Sequence, residues 1–388
     1  MATKNSLRFI IGILDAMMPK RHNRYSFFVT QGTSWDGNMQ CLFASVSQNK
    51  AIECKVIYSC GKGKRSAPES CRMPAFSLSG WFYLLTSKTI IFDHACPPGL
   101  RRKNRCMINV WHGVPIKTIR FFDKGSFVSG YLQKQSNSTS LLVASSEIDR
   151  LAMSASFQID PEHVKITGLP RNDLLINPEK FAGLLSTFSK EKDFLKNAIA
   201  GRKLILYAPT YRGNSSGLIS DFKPSSSFEN KLQRVLKRHD AIFAVRSHKF
   251  SENIQFQTIA ATSHYLELSD EAISNTNILL SMTDILVTDY SSIWVDFLLT
   301  DRPIIGYFAD SHNYLSERGF IYNFGETFPG IMTKTEDELI DAIEKQLANP
   351  CLPSLKHQQL KQQFHRFKDG LNTERTIKEI ERHLQCLS

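Results

Sequence analysis

Short apolar segments with strand character recur along the chain between segments of helical periodicity, and this alternation constrains the fold more than any other feature. Many of these segments are apolar on successive residues, which is typical of strands buried on both faces of a sheet. Strands that alternate with helices predict βαβ units and parallel sheets. The predicted strands are Tyr25–Val29, Lys55–Tyr58, Thr89–Phe92, Met107–Val110, Leu141–Ala144, Val164–Thr167, Lys203–Tyr207, Ala241–Val245, Tyr265–Leu268, Ile285–Thr288 and Pro303–Tyr307.

The strands fall into two series, and two domains are predicted. A chain of 388 residues exceeds the roughly 250–300 residues at which a single core stops growing. A predicted helix, Glu179–Ile199, connects the two series. We therefore predict an N-terminal domain over residues 1–185, a second domain over residues 186–355, and amphipathic helices over residues 356–388 that pack back on the domains. Sheets of this kind bind ligands at the carboxyl ends of their strands, so the domains are expected to face a central cleft.

The charge balance predicts an acidic partner. Lys and Arg number 48 against 37 Asp and Glu, a formal net charge of +11. Nucleic acid, anionic lipid and a phosphate-bearing substrate all fit this excess. No apolar run approaches the roughly 20 residues of a membrane-spanning helix. The eight cysteines have neither CxxC nor zinc-finger spacing, so reduced thiols of a cytoplasmic protein are predicted.

The apolar segment over residues 6–18 has two interpretations. Arg8 and Asp15 interrupt it, and no small-residue cleavage site follows, so it is not predicted to be a secretory signal. The segment either packs on the core as a first helix or rests on an anionic membrane face, assisted by the basic residues that follow it at 20–22.

Polar residues that a core would not select follow several predicted strands. The first group contains His112, Gly113 and Lys117. Histidine is the side chain best suited to move a proton near neutral pH, and a lysine can hold a phosphate as a point charge. Residues 101–124 include seven basic residues and one acidic residue. The alternative is a buried histidine beside a solvated basic loop.

Three further groups follow later strands and add positive charge. Arg171 and Asp173 follow the sixth strand, and an ion pair between them is the structural alternative to a role in the cleft. Arg212 follows the seventh strand. Arg246 and His248 follow the eighth, so the chain carries a histidine at a strand end in each predicted sheet.

The last group, Thr288, Asp289, Ser291 and Ser292, ends a strand and opens a helix. The N-terminus of a helix exposes free N–H groups and partial positive charge, which favours a phosphate or pyrophosphate. The alternative is that Asp289 or Ser291 only caps the helix, a contribution of about 1 kcal/mol.

Taken in order, these motifs resemble the CDP-glycerol glycerophosphotransferases, the family of teichoic acid primases and polymerases and of capsule polymer synthases. The matching segments span residues 25 to 335. They are Gly37-Asn38, Trp111-His112-Gly113 with Lys117, Thr167 to Asp173, Tyr207 to Arg212, Arg246-Ser247-His248, Thr288 to Ser292 with Asp296, and Glu317 to Phe320 followed by Pro329-Gly330.

The resemblance implies a GT-B-like fold, two Rossmann-type domains around a cleft, and transfer of an alditol phosphate from a CDP-alditol to a hydroxyl with release of CMP. By resemblance, His112 is the base and His248 stabilises or protonates the donor phosphates. Ser291 and Ser292 hold those phosphates with Asp289 and Thr288, and the remaining candidates supply positive charge: Arg171, Arg212, Arg246 and Lys117. Because phosphoryl transfer rests mainly on positioning and electrostatics, no cofactor and no essential metal is predicted.

The leading prediction is therefore a cytoplasmic enzyme on the inner face of the cell membrane. Its predicted donor is CDP-glycerol or CDP-ribitol, with CDP-glycerol favoured. Its predicted acceptor is lipid-linked or a saccharide. A GT-B glycosyltransferase that uses a nucleotide sugar is the second hypothesis. A nucleic-acid-binding protein is the third, and it is disfavoured because the basic residues converge on strand ends instead of interleaving with aromatic residues on one face.

Overall fold

The computed structural model describes two compact units. Unit 1 comprises residues 1–115, 119–186 and 364–388, and unit 2 comprises residues 116–118 and 187–363. The residues described are 2–30, 35, 37–59, 68–100, 102–123, 129–182, 186–210, 223–247, 256, 258–269, 272–309 and 319–387.

Unit 1 is built on a parallel sheet with strand order β3-β2-β1-β4-β5-β6-β7. Its strands are β1 (Arg21–Val29), β2 (Glu53–Tyr58), β3 (Arg72–Pro74), β4 (Ser87–Phe92), β5 (Cys106–Asn109), β6 (Leu141–Ala144) and β7 (Val164–Ile166). The order reverses between β1 and β4. Doubly wound sheets bind their ligands at this switch point, outside the carboxyl ends of the strands.

Helices cover the sheet of unit 1 and close its core. They are α1 (Ala2–Met17), α2 (Gly37–Val46), α3 (Leu78–Thr86), α4 (Ser129–Ser138), α5 (Glu147–Phe157), α6 (Asp173–Ile176), α7 (Pro178–Ala182) and, in the order of the chain after unit 2, α15 (Asn372–Gln385). Ile57, Leu84, Ile90 and Met107 form the centre of one apolar cluster and are fully buried. The continuous burial of β4 explains its unbroken apolar sequence.

Helix α1 is attached to unit 1 by one apolar and one charged contact. Ile11 is buried in the core cluster of the unit, and the Oδ1 atom of Asp15 accepts a hydrogen bond from Arg105 at 2.5 Å. Lys20 also lies 3.2 Å from Asp15. Five large apolar side chains of the helix are exposed, namely Phe9, Ile10, Ile13, Leu14 and Met17. The helix is thus packed on one side and apolar on its outer side.

Unit 2 repeats this architecture with the strand order β10-β9-β8-β11-β12-β13, again parallel throughout. Its strands are β8 (Lys203–Ala208), β9 (Ala241–Ser247), β10 (Tyr265–Ser269), β11 (Ile285–Thr288), β12 (Ile304–Tyr307) and β13 (Ile331–Thr333). The switch point lies between β8 and β11.

The helices of unit 2 are α8 (Ser186–Ile199), α9 (Ser226–Arg238), α10 (Thr276–Met282), α11 (Ile293–Phe297), α12 (Phe324–Thr327), α13 (Glu336–Ala348) and α14 (Leu355–Phe364). Phe228, Leu232 and Ile343 pack with Ile205 and Phe243 of the sheet in one core cluster. This cluster fixes the sheet whose strand ends carry the polar residues described below.

Comparison with the sequence confirms two parallel-sheet α/β domains and every predicted strand. Two strands were missed, β3 and β13, each three residues long and therefore too short for a periodic signal. Within the connecting helix predicted over Glu179–Ile199, the described residues are helical over Pro178–Ala182 (α7) and Ser186–Ile199 (α8), and residues 183–185 lie outside the described ranges. Residues up to Gln363 in the C-terminal segment belong to unit 2, and those from Phe364 onward belong to unit 1.

Candidate active site

The loop that follows β5 has an unusual backbone conformation. Trp111 adopts a φ of +44° and Gly113 a φ of +138°. The N–H of Trp111 donates to Oδ1 of Asn109 at 2.9 Å. In a regular strand successive side chains point to opposite faces, but here the rings of Trp111 and His112 lie with their centroids 4.0 Å apart. A bulky residue in the left-handed region is costly, and such residues concentrate at functional sites.

Two side chains from neighbouring elements hold this loop. Asn38 at the start of α2 donates from Nδ2 to the carbonyls of Val110 at 2.9 Å and of Trp111 at 3.0 Å. Its Oδ1 accepts the backbone N–H of Arg171 at 3.0 Å. Nη1 of Arg171 in turn donates to the carbonyl of His112 at 2.6 Å. The backbone on both sides of the His112 peptide is therefore fixed, which orients the imidazole before any ligand arrives.

The position of Arg171 requires a glycine at residue 113. A Cβ atom at Gly113 would lie 2.5 Å from Nη2 of Arg171, and the positive φ of the residue disfavours any other side chain. Gly113 and Arg171, both predicted as site residues, are thus parts of one structure with His112.

The surroundings of His112 favour its neutral form. The residue keeps an exposed surface. Protein packed around the ring nevertheless limits hydration of the imidazolium, and the charges of His94 and Arg171 oppose it further. The pKa of His112 therefore lies well below its ordinary value. A neutral, accessible imidazole is the form that accepts a proton from a hydroxyl group.

His94 is a residue of this site that the sequence analysis missed. It follows β4, the strand that neighbours β5, and its ring stacks on that of His112 with centroids 4.3 Å apart and an interplanar angle of 17°. Oδ1 of Asp93 lies 3.4 Å from Nδ1 of His94. The available signal was the position of Asp93 and His94 directly after a buried strand, the same signal that identified His112.

Asp173, predicted as a cleft residue, contacts the start of α15 within unit 1. Its carboxylate is buried and accepts the backbone N–H groups of Asn372 at 2.9 Å and Thr373 at 2.8 Å, at the start of α15. Burial raises the pKa of this carboxyl, and the hydrogen bonds from Thr373 and Asn372 oppose that shift. Asp173 therefore stabilises the N-terminus of a helix.

A second polar group lies at the switch point of unit 2. The backbone N–H and the hydroxyl of Thr210, after β8, both donate to Oδ1 of Asp289 at 2.6 Å. The hydroxyl of Thr288 donates to the carbonyl of Ala208 at 2.7 Å. Asp289 and Thr288 thus hold together the ends of β8 and β11, where a doubly wound sheet binds its ligand. Thr210 is a second residue that the sequence analysis did not single out.

Ser291 and Ser292 lie immediately beyond this link. Ser292 is the N-cap residue of α11 and makes no side-chain capping hydrogen bond. Ser291 accepts the N–H of Ile293 at a long 3.4 Å. Both residues are only partly buried, and they lie between the end of β11 and the start of α11.

Arg246 belongs to the same edge of the sheet of unit 2. Its Nη1 atom donates to the carbonyls of Ser269 at 3.2 Å and Ile273 at 2.6 Å. These bonds tie the end of β9 to the segment after β10. Arg246 thus brings positive charge to the edge while it organises the backbone there.

Three predicted residues remain, namely Lys117, Arg212 and His248. Lys117 belongs to unit 2, where it forms an antiparallel bridge with Phe320. The N–H of Thr118 donates to the carbonyl of Gly319 at 2.9 Å in the same pairing. His248 and Arg212 lie outside the described residues. The structure therefore groups His112, Gly113 and Arg171 in unit 1, and Thr288, Asp289, Ser291, Ser292 and Arg246 at one sheet edge in unit 2.

The described residues contain neither a metal-ligand cluster nor a membrane-spanning helix. No three of their His, Cys, Asp and Glu side chains are grouped as metal ligands would be. Within the same ranges, no helix combines the length and the apolar character that crossing a membrane requires.

Comparison with known proteins identifies the family. The sequence profile of the CDP-glycerol:poly(glycerophosphate) glycerophosphotransferases matches residues 12–382. The chain belongs to this family. It is 31% identical over 309 residues to the teichoic acid poly(ribitol-phosphate) polymerase of Bacillus spizizenii (strain ATCC 23059 / NRRL B-14472 / W23). The aligned region covers 77% of this chain and 47% of that polymerase.

A second relative from this strain and a solved structure extend the comparison. The teichoic acid poly(glycerol phosphate) polymerase is 26% identical over 353 residues, covering 87% of this chain and 86% of the relative. The structure of the wall teichoic acid polymerase TagF superposes with a TM-score of 0.79 at 19% identity, covering 98% of this chain and 94% of that one, which establishes the shared GT-B-like fold. The chain spans about half the length of the ribitol-phosphate polymerases it matches.

Proposed function

We propose that this glycerophosphotransferase-family protein transfers an alditol phosphate from a CDP-alditol to an acceptor hydroxyl and releases CMP, in the synthesis of a teichoic-acid-like or capsule polymer. One observation carries the proposal: an exposed, neutral imidazole at a strand end, whose backbone is held by Asn38 and Arg171. Relatives named for ribitol phosphate and for glycerol phosphate both match the chain, so the donor class is a CDP-alditol.

In the proposed reaction His112 acts as the general base. The acceptor oxygen forms a bond to the phosphorus that carries the alditol, and the bond from that phosphorus to the bridging oxygen of the pyrophosphate breaks. The hydroxyl proton passes to His112, and CMP leaves with the bridging oxygen. The lowered pKa of His112 keeps the ring unprotonated and ready to accept this proton at neutral pH.

The donor phosphates are proposed to bind at the strand ends of unit 2. Ser291 and Ser292 contribute hydroxyl groups there, and the Asp289–Thr210 link fixes the loop that carries them. Arg246 and Lys117 contribute positive charge, together with Arg212, and His248 stabilises or protonates the leaving phosphate. Such a set acts by positioning and by electrostatic stabilisation of the transferring group, so we propose that no metal is essential.

Ligand-dependent thermal stability tests the donor class. A ligand at about 100 times its dissociation constant adds about 2.7 kcal/mol to the free energy of unfolding, which is visible as a higher melting temperature. We expect this shift with CDP-glycerol, CDP-ribitol and CMP. A shift with UDP-glucose or GDP-mannose alone would contradict the proposal and favour a nucleotide-sugar glycosyltransferase.

We further propose that the outer face of α1 rests on the inner surface of the cell membrane, where a lipid-linked acceptor would be found. The exposed side chains of Phe9, Ile13 and Met17 form an apolar strip on the helix, and Phe82 of α3 is exposed on a helix that packs against α1. The guanidinium of Arg21, which follows the helix, is also exposed, although it lies 3.9 Å from the carboxylate of Glu53. An apolar strip beside basic residues binds anionic membrane surfaces.

Sedimentation with lipid vesicles tests this surface. Wild-type protein is expected to sediment with vesicles that contain phosphatidylglycerol and to be released by salt. The double substitution Phe9→Glu/Ile13→Glu should abolish binding, whereas Leu352→Glu, at a side chain 90% exposed in unit 2, should not. Equal binding by the double variant and the wild type would refute the proposed membrane surface.

A further inference from the structure

The pair of stacked imidazoles in unit 1 is more than a packing contact. The rings of His94 and His112 are nearly parallel, with centroids 4.3 Å apart. At this separation two imidazolium ions repel each other strongly, so the stack accommodates one proton far more easily than two. The charges around the two rings therefore influence which ring stays neutral.

The neighbours of the two rings are of opposite charge. Asp93, on the same strand end as His94, places Oδ1 at 3.4 Å from Nδ1 of that ring. Arg171 instead binds the backbone carbonyl of His112 at 2.6 Å and brings its guanidinium to that side of the stack. Arg120 lies farther away, over the ring of Phe157, which packs on Trp111. The carboxylate thus lies on the His94 side of the stack and the guanidinium on the His112 side, where it opposes positive charge on His112.

We propose that His94 is a positioning residue for the transfer reaction, whose stacked ring and charge keep His112 neutral and able to accept the proton of the acceptor hydroxyl. This inference rests on the proposed role of His112 as the base. After burial, the charge of His94 is the next cause that lowers the pKa of His112, which agrees with this role. The ring of Trp111 lies beside both histidines, with its centroid 4.0 Å from that of His112 and 5.6 Å from that of His94, so the three rings form one cluster that restrains the imidazole of His112.

The substitution His94→Phe separates the two contributions of the residue, because it retains a stacking ring and removes the charge. With no positive neighbour in the stack, the pKa of His112 should rise by about one unit. The acidic limb of the kcat/KM profile should move to higher pH by the same amount, which means about tenfold lower kcat/KM on that limb and an unchanged value at alkaline pH. Rates are measured as CMP release from the CDP-alditol that stabilises the protein.

Histidine NMR of the free protein gives a readout that does not depend on activity. The ring 13Cε1 resonances are titrated in wild type and in the His94→Phe variant, with His112→Asn used for assignment. A matched control is His163→Gln, on the 3-10 helix Pro161–His163, which should leave the titration of His112 and the pH profile unchanged. His94→Ala should add a loss of kcat at every pH, since it also removes the stacking surface.

The outcomes distinguish this inference from the proposed function. If His112→Ala is inactive but the His112 titration and the acidic limb are the same in wild type and His94→Phe, the role of His94 is overturned while the proposed function stands. If His112→Ala retains its activity, the base assignment fails, and the role of His94 in the reaction fails with it even where the NMR shift is observed.

Discussion

At the scale of single residues, the loop after β5 shows how a few hydrogen bonds prepare a reactive side chain. Trp111 adopts a conformation that its side chain disfavours, and Asn38 stabilises that conformation by donating to its carbonyl at 3.0 Å. The hydrogen bonds from Asn38 offset the cost of this conformation, which directs the ring of His112 away from the regular alternation of a strand. His112 is therefore positioned by residues from α2 and from the segment before α6.

Removal of the imidazole is expected to abolish transfer. His112→Ala should lower kcat/KM by about 10²- to 10⁴-fold, since that is the usual contribution of a general base. The melting temperature should change little, because the residue is exposed and its backbone carbonyl keeps its hydrogen bond to Arg171. CMP release and circular dichroism check the two parts. Near-normal turnover in a folded variant would show that His112 is not the base.

A different kinetic signature is expected at the serines that are proposed to bind the donor phosphates. Ser292→Ala removes a hydroxyl that makes no capping hydrogen bond, so the fold should be unaffected. Donor affinity should fall about fivefold, the value of one net hydrogen bond, with a smaller effect on kcat. The matched control is Ser281→Ala, whose hydroxyl donates to Ile278 of its own helix at 2.7 Å. A lower kcat at unchanged donor affinity would argue against a phosphate contact.

At the scale of secondary-structure elements, buried acids attach helices at both ends of the chain to unit 1. Asp15 accepts a hydrogen bond from the fully buried Arg105, which also donates to the carbonyls of Leu84 and Leu85. Asp173 accepts the first N–H groups of α15. Both carboxylates satisfy donors that would otherwise be buried without a partner, and such donors are expensive to leave unpaired.

Loss of the Asp173 carboxylate should therefore reduce stability rather than substrate binding. Asp173→Ala is expected to lower the free energy of unfolding by about 1–3 kcal/mol, because two N–H groups at the start of α15 lose their acceptor. Chemical denaturation measures the loss, and Asp173→Asn should recover part of it. Unchanged stability combined with weaker CDP-alditol binding would return Asp173 to the substrate site.

At the scale of the whole molecule, two units of the same design carry different chemistry at equivalent edges. Each sheet reverses its strand order once, between β1 and β4 in unit 1 and between β8 and β11 in unit 2. Asp93 and His94 follow β4 in the first unit, while Thr210 and Asp289 meet between β8 and β11 in the second. In the reaction proposed above, the histidine stack of unit 1 serves proton transfer and the edge of unit 2 anchors the phosphates.

Hydrogen exchange with donor alone should reveal this division. CDP-glycerol is expected to protect the amides of residues 289–293, beyond β11 in unit 2, more than those of residues 93–96, beyond β4 in unit 1. The physical reason is that bound phosphates contact backbone N–H groups at the start of a helix. Addition of CMP should produce the same pattern more weakly. Protection confined to unit 1 would contradict the assignment of the donor to unit 2.

Sequence patterns were sufficient to predict the architecture and the order of the motifs. Burial on both faces leaves a continuous apolar run in each strand, and that signal is local, so β6 and β11 were predicted with their observed bounds. Family-like motifs after the strands identified His112, Arg171 and Ser292. Segments as short as β3 and β13 contain too few residues for any period and were missed.

The contacts between polar residues that are distant in sequence depend on the tertiary structure. The stack of His94 on His112 depends on β4 and β5 being neighbours in the sheet, and the position of Asp173 depends on α15 returning to unit 1 from 199 residues farther along the chain. The exposed apolar strip of α1 likewise depends on tertiary packing. Because Ile11 and Asp15 contact the core, the opposite side of the helix is left exposed. Local sequence encodes burial and periodicity, whereas contacts between distant side chains follow from strand order and packing.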